Sequence, residues 1–316
     1  MDSSERVNGI LAFIHERYKE KITAEMIAGH MKISRGECFR CFKRSLNQSL
    51  FGYINEYRLA KAAELFRTTD MSIMDISTEC GFGNASYLGK LFKDAYKLTP
   101  LQYKKAQIWT ENTIRNVNGC DYEYYKDTGS GTMTITGGAG NGSFTCEWGK
   151  IGNILFRGGK KFAARDRIYS QIGGISLQYD ATVDAYGDSY LCVYGWMVDP
   201  LVEWYIIERF STYKPPGDGV LLDTLETGGG TYEVYRVARK DRPSALGGGV
   251  ESFDQYWSVR TSNRSSGTVD ISAHFRAWED LGLPMGKLAE VSLSVEGWLS
   301  SGNADIRTNV LKISKV

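Results

Sequence analysis

Beyond residue 120 the chain is cut into short runs by glycine clusters: GGAGNG at 137–142, PPGDG at 215–219, TGGG at 227–230 and GGG at 247–249. Within the runs apolar and polar residues alternate, and a period of two suits a strand whose side chains point to opposite faces, not a helix. None of the glycine clusters is followed by helical periodicity, as a phosphate-binding loop requires, so they read as turns. One helix stands among the strands, from about Ile271 to Leu281, with Phe275, Trp278 and Leu281 on one side. Many short strands with a single helix predict an all-β sandwich or jelly roll, two antiparallel sheets forming a cleft, over residues 121–316.

The first 107 residues follow the helical period instead. Only seven of the 35 glycines and one of the seven tryptophans precede residue 111, and Val7, Ile10, Leu11, Ile14 and Tyr18 recur at 3.6-residue spacing. Two similar halves follow. ITAEMIAGHMKISRGECFRCFKRSL gives a helix from Ala24, a break at 31–33, and a second helix opened by Ser34 with Glu37 at capping-box spacing. MSIMDISTECGFGNASYLGKLFKDAY repeats the plan, with Ser72 and Asp75 at the cap, Gly81 and Gly83 in the turn, and Asn84 opening the second helix. A helix over about 51–67 joins the halves, and Thr99-Pro100 opens a last short one. A polar stretch, residues 108–120, reads as a linker. The division is thus an all-α domain over 1–107, a linker, and the β domain over 121–316.

The formal net charge of +1 hides two opposite parts. Residues 1–110 carry 17 Lys+Arg against 12 Asp+Glu, and residues 111–316 carry 21 against 25. The N-terminus has charges spread through its apolar positions and lacks a signal-peptide core, which predicts a cytoplasmic protein and leaves an extracellular location open; no segment is apolar enough to span a membrane. Cys38 and Cys41 form the only close cysteine pair and lack a second pair to complete four zinc ligands, so neither metal nor cofactor is expected. His15, His30 and His274 are scattered and read as surface or locally paired imidazoles.

Two short helices joined by a tight turn, the second with polar residues at its exposed start, fit a DNA major groove, and surrounding cations fit phosphates. The segments IAGHMKISRGECFRCFK, YINEYRLAKAAELFRTTDMSIMDIS and GFGNASYLGKLFKDAYKLTPLQYKK resemble the tandem helix-turn-helix domain of AraC/XylS-type transcription regulators over nearly all of residues 5–106. The resemblance implies recognition helices beginning at Ser34 and Asn84, facing double-stranded DNA with Ser34, Arg35, Glu37 and Arg40 in the first and Asn84, Ser86, Tyr87 and Lys90 in the second. The sequence departs from that pattern at Lys97, where a glycine is usual, and at Gly36, a poor helix former.

In the β region several strands have two unlike faces. In EVSLSVEGW, Val291, Leu293 and Val295 face one way, while Glu290, Ser292, Ser294, Glu296 and Trp298 face the other. Tyr190, Tyr194 and Trp196 share a face, as do Glu203 and Tyr205, and Phe253, Gln255 and Trp257. Aromatic planes interleaved with hydrogen-bonding groups suit a sugar polymer, whose rings offer C–H faces and hydroxyl rims. The segments SYLCVYGWMVDPLVEWYIIERFSTYKP, FDQYWSVRTSNRSSGTVDISAHFRAWEDLGL and VEGWLSSGNADI resemble family 11 glycoside hydrolases, the jelly-roll endo-β-1,4-xylanases.

That resemblance implies xylan or xylo-oligosaccharides as substrate, Glu203 as nucleophile and Glu296 as acid/base. It further implies Tyr194, Trp196, Tyr205, Arg239, Gln255 and Trp257 as substrate-lining residues, Asn153 beside the acid/base, and Pro243, in PSALG, at the tip of a flexible thumb. Tyr125 stands where a stacking tryptophan is usual and Glu290 where a cleft tyrosine is common, which predicts weaker stacking at the glycone end. Two carboxylates about 5 to 5.5 Å apart fit hydrolysis with retention. The charge of Glu203 is expected to keep Glu296 protonated, and Glu208, Asp199 and Glu279 read as ordinary surface charges. A second reading is a transcription regulator whose β domain senses xylan fragments.

Overall fold

The computed structural model describes residues 3–96, 98–243, 246 and 249–314. Lys97, Gly248 and most of the expected thumb tip, Ser244, Ala245 and Gly247, lie outside these residues. The chain divides into two compact units, residues 1–106 and 107–316.

The first unit is all-helical: α1 (Ser3–Arg17), α2 (Ala24–Met31), α3 (Arg35–Leu46), α4 (Leu50–Thr68), α5 (Ile73–Glu79), α6 (Ala85–Tyr96) and α7 (Pro100–Lys105). Its ends obey local chemistry. Lys32 takes a left-handed conformation and stops α2, while the Ser34 hydroxyl accepts from the Glu37 amide at 3.2 Å and starts α3. The expected box at Ser34 is only half formed, because the Glu37 carboxylate turns to Arg6 and Arg40. Ser72 with Asp75, and Thr99 with Gln102, form complete boxes. Gly81 sits at φ +73°, where a Cβ would also meet the Tyr18 carbonyl oxygen at 2.5 Å. Two apolar cores result. Ile10, Ile14, Ile27 and Phe42 centre the first, Phe66, Ile76, Leu88 and Phe92 the second, and α4 contributes to both.

The second unit contains β1 (Gln107–Trp109), β2 (Thr113–Val117), β3 (Cys120–Lys126), β4 (Ser130–Ile135), β5 (Phe144–Gly149), β6 (Asn153–Lys161), the single-turn α8 (Tyr169–Ile172), β7 (Ile175–Val198), β8 (Val202–Phe210), β9 (Val220–Thr227), β10 (Gly230–Pro243), β11 (Val250–Arg260), β12 (Ser266–Asp270), α9 (Ile271–Asp280) and β13 (Lys287–Ile313). The stretch 108–120, expected as a linker, instead carries strands. β1 pairs with β4 and β2 with β3, and Trp109 and Val117 join the core. Its polar residues belong to edge strands with one solvated face, which composition cannot distinguish from a connection.

β7 and β13 are long enough to serve two layers. Their outer halves, Ile175–Tyr186 and Ser301–Ile313, pair with each other and with β12 and β5; their other halves pair with β8 and β6. The two layers fold on each other where β13 bulges between Trp298 and Ser301, opposite Gly187 at φ +85°. Between them lies a core that includes Phe156, Leu191, Val193, Trp204, Ile206, Val291, Leu293 and Val295, closed at one side by Phe275 and Trp278 of α9. The opposite face of the same strands carries a second cluster with Tyr194, Trp196, Tyr205, Val237 and Trp257. The alternation seen in sequence therefore separates a core face from a cleft face.

Two surface expectations are overturned. Glu208 is fully buried and accepts from Tyr179, Tyr232 and Arg264, the last at 2.6 Å from Nε. His274 is also fully buried, packs edge-on to Tyr232 at 4.7 Å, and is held neutral by burial, its pKa pushed down to about 3. Both residues lie where α9 and β8 meet the core, and strand alternation does not reveal which charged residues a helix will cover. Asp199 pairs with Lys287 at the surface, and Glu279 accepts from Tyr169.

Candidate active site

The cleft floor is built by register. Across β6, β13 and β7, Leu155 aligns with Glu296 and Tyr190, Arg157 with Ser294 and Cys192, and Gly159 with Ser292 and Tyr194. β7 pairs next with β8 and β8 with β11, so Trp196 aligns with Glu203 and Gln255, and Tyr194 with Tyr205 and Trp257. Glu203 and Glu296, 93 positions apart in sequence, stand on one face on either side of β7. A cleft of about 530 Å3, within the range of small-ligand sites, opens over this face; Glu296 lines it, while Glu203 lies just outside the lining, bonded to the lining residues Tyr205 and Gln255.

The two carboxyl groups have different surroundings. Glu203 is 8 % exposed. Its Oε1 accepts from the hydroxyls of Tyr194 and Tyr205, each at 2.9 Å, and its Oε2 accepts from Gln255 Nε2. Gln255 has a fixed orientation, because Arg239 Nε, which can only donate, takes its oxygen at 2.7 Å. Arg239 is steadied in turn by Asp218 at 2.8 Å. Burial pushes the Glu203 pKa up, and the three donors together with the Arg157 charge pull it back.

Glu296 lines the cleft and has weaker support. Tyr190 donates to its Oε2 at 2.8 Å and Ser294 to its Oε1 at 3.1 Å. Its pKa is raised to about 7, first by burial and then by the negative charge of Glu203. Burial is thus the larger cause, where the sequence pointed to the neighbouring charge alone. One carboxyl is held by three donors and the other has its pKa raised to about 7, an asymmetry of the kind that acid/base and nucleophilic work on a glycosidic bond needs.

The other expected residues fall into three groups. Tyr205, Arg239, Gln255, Trp257 and Asn153 line the cleft, and Tyr205 and Trp257 stack at 3.8 Å between ring centres. Tyr194 and Trp196 do not line it. Both are buried beneath the floor, where Trp196 donates to the Tyr194 hydroxyl that in turn donates to Glu203. Tyr125, 39 % exposed, and Pro243, exposed and paired with Val250, lie outside the cleft lining. Several lining residues were missed. Tyr190 and Trp298 share faces with assigned residues and could have been found by alternation; Tyr213 stands at the end of a segment that carries the family resemblance, and Pro215, Pro216 and Asp218 belong to the PPGDG turn.

In the helical unit Ser34, Arg35, Arg40, Asn84, Ser86, Tyr87 and Lys90 are exposed and Glu37 is half-buried. Some already have work within the fold. Asn84 caps α6, its side-chain oxygen accepting from Ser86 and Tyr87 amides at 2.8 and 3.1 Å. Arg35 pairs with Glu25, Arg40 with Glu37 at 3.1 Å, and the Tyr87 hydroxyl accepts from Asn55. Among the described residues no helix is long and apolar enough to cross a membrane.

The jelly roll with its paired glutamates on the face beneath a sugar-sized cleft defines a glycosidase of the two-carboxylate class. Residues 117–307 match the family model "Glycosyl hydrolases family 11", and residues 27–106 match that of a "Helix-turn-helix domain". Endo-1,4-beta-xylanase A of Bacillus pumilus is 47 % identical over 208 residues, covering 66 % of this chain and 88 % of that protein. The bifunctional xylanase/deacetylase of Pseudobutyrivibrio xylanivorans is 45 % identical over 210 residues, 66 % of this chain but 34 % of that longer protein. Among solved structures, the family 11 xylanase from Neocallimastix patriciarum superposes with a TM-score of 0.59 at 32 % identity, over 66 % of this chain and 100 % of that one. The chain belongs to glycosyl hydrolase family 11.

Proposed function

We propose that the β domain is an endo-1,4-β-xylanase working with retention of configuration, and that the helical domain binds double-stranded DNA. The observation that carries the first part is the unlike pair on one cleft floor. Glu203 attacks the anomeric carbon and forms a glycosyl ester. Glu296 gives its proton to the departing oxygen, then takes one from the water that hydrolyses the ester. Once Glu203 is esterified its charge is gone, which lowers the pKa of Glu296 and fits it for the second role. Tyr205 and Trp257 present a stacked apolar wall to sugar faces, while Arg239 holds Gln255 against the nucleophile.

The test is oligosaccharide release from xylan across pH. Glu296 must start protonated, so kcat/KM should fall on the alkaline side as pH rises through about 7. Proton NMR of the first product should show the β-anomer. Inversion, or no release at any pH, sinks this reading. A family member that only sensed xylan fragments would have no use for a proton carrier beside a separately held nucleophile.

For the helical domain, the support is the pair of helix-turn-helix units and the exposed start of α6. An electrophoretic shift on genomic fragments from the protein's own neighbourhood should weaken steeply with salt, and Lys90→Ala should flatten the log–log salt slope by about one. Repeating the shift with xylo-oligosaccharide present shows whether sugar binding reaches the DNA. A shift indifferent to salt argues against phosphate contacts.

A further inference from the structure

Beneath the cleft floor lies a charged cluster that the reaction as described does not use. Arg157, on β6, is 2 % exposed. Its Nε and Nη2 donate to Glu123 Oε2 at 3.1 and 2.6 Å, its Nε lies 3.4 Å from Glu290 Oε1, and its guanidinium carbon sits 4.7 Å from the centre of the Tyr194 ring. Lys161 also reaches Glu123 at 2.7 Å, and the buried Glu290 accepts from Ser292 at 2.8 Å. Arg157 Nη1 is buried without a hydrogen-bond partner. Glu290 is the residue that displaces the expected cleft tyrosine, so the position is filled by an ion pair in place of a stacking ring.

We propose that Arg157 is a positioning residue for the carboxylate pair, a buried cation that supports Glu203 by its charge and through the ring of Tyr194. The inference rests on the glycosidase reading above. A buried ion pair is a costly way to fill space: replacing it with apolar side chains of similar volume is often neutral or stabilising. The cluster also leaves one guanidinium donor unmet, a further cost that a purely structural arrangement would avoid. What the arrangement provides is position. The cation lies against the face of the aromatic ring whose hydroxyl donates to Glu203, a favourable contact that fixes the ring and strengthens the phenol as donor.

The groups facing Glu203 are Tyr190, Cys192 and Tyr194 from β7, Tyr205 from its own strand, Gln255 from β11, Glu296 from β13 and Arg157 from β6. Those facing Glu296 are Tyr190, Cys192 and Tyr194 from β7, Ser294 from its own strand, Glu203 and Tyr205 from β8, and Arg157. Within each set Arg157 supplies positive charge against the two carboxylates, and its attraction favours the ionised form of both. Without it, two acids buried on one floor would compete for a single charge, and Glu203 would start the reaction protonated more often.

The test is a titration of the full chain carrying 13C-labelled glutamate, following the Glu203 and Glu296 carboxyl carbons without substrate. Arg157→Gln together with Glu290→Gln removes the cation without stranding its partner, leaving Glu123 to Lys161. Both catalytic carboxyls should then titrate about one pH unit higher than in Glu290→Gln alone. The acid limb of the xylan-hydrolysis profile should move up with them. Arg157→Lys, which keeps the charge, should restore the limb. Arg157→Met with Glu290→Leu carries the same titration if the polar pair fails to fold. Carboxyl titrations and an acid limb that coincide with those of Glu290→Gln would overturn the proposal and leave Arg157 as packing. Because the titration needs no turnover, it is decided separately from whether the parent cleaves xylan.

Discussion

Glu203→Gln is expected to remove xylan hydrolysis, with kcat falling on the order of 10⁴-fold or more, because the covalent route has no second nucleophile to fall back on. The fold should survive. The new amide oxygen can accept from Gln255, and the amide NH2 can donate to the hydroxyls of Tyr194 and Tyr205, which rotate to receive it. The variant should also be more stable than the wild type once pH passes the ordinary carboxylate range. The folded protein raises the Glu203 pKa, so the ionised form is penalised relative to the unfolded chain once pH passes its ordinary range, and a neutral isostere escapes that penalty. Oligosaccharide release and thermal melting check both halves. Wild-type release from this variant would remove Glu203 from the chemistry, and a collapsed fold would mean that its charge is structural.

Glu296→Gln should show a different pattern. On xylan, whose leaving group is a sugar hydroxyl that needs a proton, the loss should be about 10²- to 10⁴-fold. On an aryl xyloside with an acidic phenol the bond-breaking step needs no donated proton, so the first turnover should be largely spared and product release of the phenol should show a burst before the slower hydrolysis of the ester. The alkaline limb near pH 7 should vanish from the remaining activity, since the group that titrates there is gone. Equal losses on both substrates, with the limb intact, would show that Glu296 positions substrate and that another residue carries the proton.

Much of this was legible before any coordinates. Alternation in EVSLSVEGW separates Val291, Leu293 and Val295 from Glu290, Ser294 and Glu296, and the observed strand divides between core and cleft at those positions. Caps at Ser34, Ser72 and Thr99 mark helix starts to within a residue, because cap chemistry is local. What alternation cannot reveal is depth. Trp196 and Tyr194 share a face with cleft residues yet lie beneath the floor, covered by neighbours on other strands. The same limit hid Glu208 and His274, whose burial depends on where α9 lands, and it hid Arg157, whose partners Glu123 and Glu290 lie 34 and 133 positions away. The PPGDG segment reads as a turn and is one, but only the tertiary path places Pro215, Pro216 and Asp218 on the cleft wall.

The doubled length of β7 and β13 has a mechanical consequence. Both strands pack apolar side chains into the hydrophobic interior along their whole length, and where Ser189 to Trp196 pair unbroken against Glu290 to Gly297 the other face of the same ladder carries Glu296, Tyr190 and Tyr194. The reacting groups therefore cannot separate without opening the layer that keeps the domain folded. The spacing of the two glutamates is thus as rigid as the core that the same strands build.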